Sequence, residues 1–260
     1  MSKQKKFILS SFLLTIVFIL AQISKSFLSP FFISFFLIFL ASLILFFVFY
    51  SLVSSVKRLI LLITLPLGLL LAVNFFYNLW PSALVWRAIL ILFLFDGIYA
   101  SVLVTNIFLV SLEFKKVPLY RAAFTIGFIL ILLELFLFYN FIFSFKFYPW
   151  TNAFLIFLVS WPLLFHFFWS AAISEKEADN QQLIMFSSVG SWFLSQLGLA
   201  ISFWPVNVGL ASLYLVSFAY VLGGMIQAAI KGKLFQRTFW EYFWVGVGSL
   251  VALFLLTTIF

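Results

Sequence analysis

Residues 119–145 read LYRAAFTIGFILILLELFLFYNFIFSF, a stretch with only two charged side chains, Arg121 near its start and Glu134 near its middle. The hydrocarbon core of a bilayer is about 30 Å thick, and a helix of about 20 apolar residues crosses it. Backbone groups in lipid have no water to bond, so a run of this kind must satisfy them within a helix. The stretch therefore predicts a transmembrane helix that contains one acid.

The rest of the chain has the same character. Of its 260 residues, 66% are hydrophobic and only 8% are charged, whereas about 25% are charged in an average soluble protein. Segments long and apolar enough to cross a bilayer cover residues 7–24, 30–53, 59–79, 84–112, 119–145, 151–173, 183–204, 206–230 and 239–260. We therefore expect an all-α polytopic integral membrane protein of about nine transmembrane helices, in one domain over residues 1–260.

The division between the seventh and eighth segments rests on the sequence FWPVN at 203–207, which carries no charge. An unbroken helix over 183–230 would be about 72 Å long, more than twice the hydrocarbon thickness. Pro205 has no amide donor and suits the first position of a helix. We expect a tight turn here, with Pro205 opening the eighth span.

The positions of the basic residues predict the orientation, because Lys and Arg accumulate in short cytoplasmic loops. Twelve lie at the amino terminus or in every second connection: Lys3, Lys5, Lys6, Lys57, Arg58, Lys115, Lys116, Arg121, Lys176, Lys231, Lys233 and Arg237. Only Lys25, Arg87 and Lys146 lie on the other side. We therefore expect a cytoplasmic amino terminus and a carboxyl terminus outside.

The net charge of +8 is spread over these loops instead of forming one basic face. This distribution predicts contacts with anionic lipid headgroups at the cytoplasmic loops and no nucleic-acid partner. The first span also has the Lys-rich start of a signal peptide, but Ile19-Leu20-Ala21 lacks the small residue two before the candidate cleavage site. An uncleaved first helix is favoured, and cleavage stays an alternative.

Residue types and motifs that carry chemistry are scarce in the sequence. It has no cysteine and a single histidine, which excludes disulfides, iron–sulfur clusters, thiolate zinc sites and two-His metal centres. It also lacks a phosphate loop, an HExxH motif and a GxSxG motif. We expect a protein that is not an enzyme and that holds no cofactor or metal.

Three spans carry small residues at helical spacing, which lets neighbouring helices approach closely in lipid. They are Ala123 and Gly127 in the fifth segment, Ser187, Ser191 and Ser195 in the seventh, and Ala219 and Gly223 in the eighth. We expect these three faces to point into the helix bundle.

Four polar side chains at membrane depth form the one candidate site: Asp96, Glu134, His166 and Gln196. An acid at this depth costs roughly 2.5–3.5 kcal/mol on insertion scales. Two carboxyl groups close together in low dielectric do not both ionise easily, so one would hold a proton and could exchange it. The alternative is that each acid is protonated and hydrogen-bonds a neighbouring helix, with His166 packed as a neutral imidazole among Phe side chains.

Two functions therefore remain open from the residues. The first is a non-catalytic scaffold or subunit of an envelope complex, which the missing catalytic motifs and soluble domains favour. The second is a proton- or cation-coupled secondary transporter that uses Asp96 and Glu134. A polar cavity that reaches both acids would favour transport, and a densely packed core would favour a scaffold.

Several short stretches give the chain a resemblance to a family: GIYA at 97–100, TNIF at 105–108, LYRAA at 119–123, SFWP at 202–205, and LFQRT at 234–238 followed by Glu241 and Tyr242. On these it resembles an uncharacterised family of bacterial multi-pass membrane proteins, a domain of unknown function, over nearly the full length. The resemblance implies a bacterial inner-membrane location and a shared fold. It implies no activity and no site residues.

Overall fold

The computed structural model describes residues 3–23, 30–50, 56–79, 84–113, 119–173, 180–232 and 236–259. These ranges contain helices and turns and no strand, so the all-α prediction is confirmed. The helices in the described ranges are α1 (Lys3–Ile23), α2 (Pro30–Tyr50), α3 (Val56–Tyr77), α4 (Leu84–Glu113), α5 (Tyr120–Ser144), α6 (Pro149–Ala172), α7 (Asn180–Ser202), α8 (Val208–Ile230) and α9 (Gln236–Ile259).

The chain divides into two compact units, Met1–Leu130 and Ile131–Phe260. The first unit holds α1 to α4 and the beginning of α5. The second holds the remainder of α5 and α6 to α9. Each unit has its own buried apolar side chains.

The first unit is built from apolar side chains that repeat at helical spacing. In α2, Leu37, Ala41 and Leu45 are fully buried, and a spacing of four places them on one face. The helix α2 packs against α1 and α3, and α4 contacts α1 and α3 in turn. The four helices therefore share one apolar core.

A buried amide joins three helices of the first unit. Asn74 of α3 is 1% exposed. Its Oδ1 accepts a hydrogen bond from Gln22 Nε2 of α1 at 2.8 Å, and its Nδ2 donates to Ser34 Oγ of α2 at 3.0 Å. Hydrogen bonds between helices stabilise association in lipid, so Asn74 fixes the packing of α1, α2 and α3.

In the second unit α6 and α7 form the most extensive helix pair. Ser187, Ser191 and Ser195 of α7 are all buried, which confirms the predicted small-residue face. The Oγ of Ser195 donates to the Ala153 carbonyl of α6 at 2.8 Å. Gly198 lies directly against Ile156 of α6. Small side chains thus allow the close approach of these two helices.

The other two small-residue faces are also confirmed. Ala123 and Gly127 of α5 are buried, with Gly127 facing Val104 and Phe108 of α4 within the first unit. In the second unit, Ala219 and Gly223 of α8 are buried.

The described residues support fewer membrane-spanning helices than the nine predicted. Among the described residues, six helices are long and apolar enough to cross a membrane, namely α1, α4, α5, α6, α7 and α8. The apolar stretches described in α2 and α3 are Phe36–Val48 and Ile63–Tyr77. Whether α2 and α3, which are 21 and 22 residues long, cross the membrane stays a prediction.

The helix α9 is also outside these six. Its first two turns carry an ion pair between Arg237 Nε and Glu241 Oε1 at 3.1 Å, with both side chains exposed. These charges lie at the start of the helix, and whether α9 crosses the membrane stays a prediction. The described part of the chain thus supports six crossings instead of nine.

The predicted break between the seventh and eighth segments is confirmed, but the role given to Pro205 is wrong. The helix α7 ends at Ser202 and α8 begins at Val208. Asn207 caps α8, because its side chain accepts a hydrogen bond from the Gly209 amide. Pro205 therefore lies in the turn instead of opening the helix, and the capping amide sets the start of α8.

Several of the loop residues that carry the orientation argument lie outside the described residues: Lys25, Lys115, Lys116, Lys176 and Lys233. The cytoplasmic amino terminus and the outer carboxyl terminus therefore stay predictions.

Candidate functional site

Glu134 is the most deeply enclosed of the four predicted site residues. It lies near the middle of α5, and its side chain is 0% exposed. Among the described residues, neither carboxyl oxygen has a hydrogen-bond partner. An isolated carboxylate in a low-dielectric interior is very costly, so a side chain in this setting holds a proton or meets a cation.

His166 of α6 is also buried, at 1% exposed, and its ring centroid lies 5.9 Å from that of Trp169. This setting fits the packed imidazole expected from the neighbouring Phe residues.

A hydrogen bond fixes the height of α5 relative to α6. The Tyr139 hydroxyl and the Ser160 Oγ are 2.7 Å apart, and both residues are buried. Glu134 is five residues from Tyr139, and His166 is six residues from Ser160, both away from the turn that joins the helices. At 1.5 Å per residue, Glu134 lies about 7.5 Å and His166 about 9 Å from this hydrogen bond along their helix axes, so their heights agree within about one helical turn.

Gln196 lies on a different surface from this pair. It is exposed on α7, whereas Ser191 and Ser195 of the same helix are buried. The residues Met185, Val189, Trp192 and Gln196 form an exposed row that we call the α7 stripe. Gln196 therefore presents its amide outward, away from the side of α7 that packs on α6.

Asp96 is exposed as well. It lies in the middle part of α4, well inside both ends of that helix. Apolar side chains precede it on the same side of the helix, and Ile89, Leu92 and Phe93 are exposed too. The helices of the first unit therefore leave this face of α4 uncovered.

The four predicted residues thus divide into two buried and two exposed. Glu134 and His166 are buried in the second unit at similar height, Gln196 of the same unit faces outward, and Asp96 is exposed on the first unit. Within the described ranges, no three His, Asp or Glu side chains lie close enough to hold a metal ion. The shared ion or proton site stays a prediction.

Two buried amides escaped the sequence reasoning. One is Asn74, described above. The other is Asn152 of α6, 3% exposed, whose Nδ2 donates to Ser202 Oγ of α7 at 3.1 Å. Both are polar side chains within apolar segments, so the sequence marks them in the same way as the acids. A search for every polar residue inside an apolar span, instead of acids alone, would have found them.

The packing role of Arg87 was also missed. The guanidinium of Arg87, on α4, lies over the ring of Tyr77 on α3, 5.2 Å from its centroid. A cation over an aromatic face is attracted by the ring quadrupole. The contact therefore links the end of α3 to the beginning of α4.

The described part of the second unit also has an apolar groove of about 310 Å³ between α7, α8 and α9. Its walls include Phe193, Phe218, Phe243 and Gly246, and no acid, base or histidine lines it. The groove does not reach Glu134 or His166, so it offers no path for an ion to them.

The chain shows no match to a curated protein and none to a solved structure. One family matches residues 64–256, and its description is "Protein of unknown function (DUF5656)". The match covers most of the chain from the third helix onward, and it agrees with the resemblance to an uncharacterised membrane family. The protein therefore belongs to the DUF5656 family.

Proposed function

We propose that the protein is a non-catalytic scaffold or subunit of a membrane complex in the bacterial inner membrane. The observation that carries this proposal is the exposed carboxyl group of Asp96 in the middle part of α4. Acids inside transmembrane segments almost always face a bundle interior or a water-filled cavity. An exposed one therefore points to a surface that another polypeptide covers.

The energetic reason is the cost of leaving the acid in lipid. An Asp at the centre of a membrane helix costs roughly 2.5–3.5 kcal/mol on insertion scales. A partner helix with an amide, hydroxyl or basic side chain at that height removes most of this cost by bonding the carboxyl. The exposed side chains of Ile89, Leu92 and Phe93 provide apolar packing surface beside it.

We expect Asp96→Leu to release the partner while the chain still inserts in the membrane. Losing one interhelical hydrogen bond should weaken association roughly threefold to thirtyfold. Insertion itself should improve, because Leu is the better lipid-facing side chain. Native electrophoresis after extraction in mild detergent measures the size of the assembly, and fractionation measures insertion.

Asp96→Asn is the matched control, because it keeps the size and the hydrogen bonds of the side chain. It should hold the assembly at its original size. An assembly that Asp96→Leu leaves unchanged, or a wild-type chain that migrates without other polypeptides, contradicts the proposal.

The orientation is part of the same proposal and concerns the five consecutive crossings from α4 to α8. We place the connections α4–α5, α6–α7 and α8–α9 in the cytoplasm, since seven basic residues lie there: Lys115, Lys116, Arg121, Lys176, Lys231, Lys233 and Arg237. Anionic headgroups of the inner leaflet are their partners.

Reporter fusions test this orientation directly. Fusions after Lys116, Lys176 and Lys233 should report the cytoplasm, and fusions after Ser82 and Tyr148 should report the outside. An outside signal at Lys116 contradicts the placement. A fusion at the carboxyl terminus shows in addition whether α9 crosses the membrane.

A second candidate function, a proton- or cation-coupled transporter, is favoured by Glu134. Its buried carboxyl has no hydrogen-bond partner among the described residues, so hydrogen bonding to the described part of the bundle does not explain its presence. Proteins retain such groups where a proton or cation must bind.

A further inference from the structure

The α7 stripe places a polar side chain and an aromatic side chain at apolar depth on the outside of the second unit. Trp192 is 63% exposed, and Gln196 one turn later is also exposed. Trp prefers the membrane interface, yet Trp192 lies close to the middle of α7 along the helix axis. Both the indole N–H and the amide would face hydrocarbon, where they find nothing to bond.

The spacing of the stripe is that of two helices packed side by side. Met185, Val189, Trp192 and Gln196 are separated by four, three and four residues. This alternation keeps one seam facing a partner helix over several turns. The stripe carries no charge, so two copies brought together meet no repulsion.

We propose that the α7 stripe is the interface of a homodimer, in which α7 of one chain packs in parallel against α7 of a second copy. A two-fold axis along the membrane normal relates two chains inserted with the same orientation, and each stripe residue then meets its own counterpart at the same height.

The chemistry of Gln196 selects a second copy as the occupant. A primary amide both donates and accepts, so two Gln196 side chains across the axis bond each other with no other residue required. A single polar residue in an apolar seam also fixes the register of the two helices. Trp192, one turn away, adds a large flat contact surface of the kind that anchors interfaces.

The opposite side of α7 is already occupied, which leaves the stripe as its available surface. Gly190, Ser191 and Gly198 are buried, and Gly190 and Gly198 face Leu164 and Ile156 of α6. The inference concerns a different helix from Asp96, so the failure of either experiment leaves the other proposal standing.

The absence of native cysteine allows a direct test. Val189→Cys places one thiol on the stripe, two turns from Gln196. Mild oxidation in native membranes should give a disulfide-linked species of about 60 kDa, twice the 30.0 kDa of one chain. Leu158→Cys is the matched control, because Leu158 lies near the middle of α6 and is 54% exposed, against 56% for Val189. It should give little of this species.

The role of the amide is tested in the same background. Gln196→Leu should lower the yield of linked Val189→Cys dimer roughly threefold to thirtyfold, and Gln196→Asn should retain most of it. Asp96→Leu should leave the yield unchanged. If Val189→Cys is poorly produced, Met185→Cys reports the same seam.

Three results overturn the proposal. One is a dimer yield from Val189→Cys and Met185→Cys no higher than that from Leu158→Cys. The second is a yield that Gln196→Leu does not change. The third is a linked product in which the second chain is a different protein, which assigns the stripe to another partner.

Discussion

Gly198→Leu is expected to destabilise the second unit by about 3 kcal/mol, at the upper end for overpacking a buried site. A side-chain carbon added at Gly198 would overlap Ile156 Cδ1 of α6. Ile156 is itself fully buried, so its side chain has little room to move aside. The added Leu must push α6 and α7 apart along the most extensive helix pair of this unit.

Unfolding by denaturing detergent from mixed micelles measures this change, with Gly248→Leu as the control. Gly248 of α9 is exposed, and an added Cβ there meets no atom of the described residues within 4 Å. The identical substitution should therefore shift stability by less than about 0.5 kcal/mol. Equal losses at the two positions would mean that Gly198 is not a packing contact.

The contrast between these glycines shows what the sequence could predict about packing. Ser187, Ser191 and Ser195 repeat every four residues, so they mark one face of α7 whatever the neighbouring helix is. Their burial was predictable for this reason. Gly198 lies seven residues after Ser191 and therefore shares this face. Only the structure shows that an added Cβ there would overlap Ile156, whereas one at Gly248 would meet no described atom within 4 Å.

The number of crossings was harder to predict, because a count depends on lengths more than on composition. All nine predicted segments have an apolar composition, including those that form α2 and α3. Among the described residues, six helices are long and apolar enough to cross a membrane, and α2 and α3 are not among them. The composition of such a segment predicts that it is buried from water. It does not predict whether the segment crosses the membrane.

The sequence predicted the depth of the candidate site residues in the membrane, but it did not predict the directions of their side chains. Counting residues gives the height of Asp96 and Glu134, since each residue of a helix adds the same rise along its axis. The direction of a side chain depends on which helix face is buried, and α4 is apolar on all sides. For Gln196 a signal did exist, because it lies five residues from Ser191 and therefore points about 140° away from it.

Five polar side chains inside the apolar helices show three different settings. Asn74 and Asn152 are buried and bonded to other helices, which is the structural use of polarity in lipid. Asp96 and Gln196 are exposed, which fits contacts with other polypeptides. Glu134 shows the third setting, because it is buried and has no hydrogen-bond partner among the described residues.

Glu134→Leu is therefore expected to stabilise the protein by about 1–3 kcal/mol, the cost of burying a polar group without a compensating hydrogen bond. Leu has a similar volume and forms helices well, so the substitution leaves no cavity and no backbone penalty. Tyr139→Phe, in the same helix, is the control of opposite sign. It removes a buried hydrogen bond to Ser160 and should destabilise by about 1 kcal/mol.

The sign of the Glu134→Leu effect separates the two functions when it is combined with transport assays in vesicles. A stabilised variant, together with loss of ion-coupled flux in Glu134→Gln, indicates a carboxyl that is retained for binding a proton or cation at the expense of stability. A loss of about 0.6–2 kcal/mol in Glu134→Leu indicates instead a hydrogen bond to a group beyond the described residues. In that case Glu134 is a structural contact, and the transporter hypothesis loses the observation that favours it.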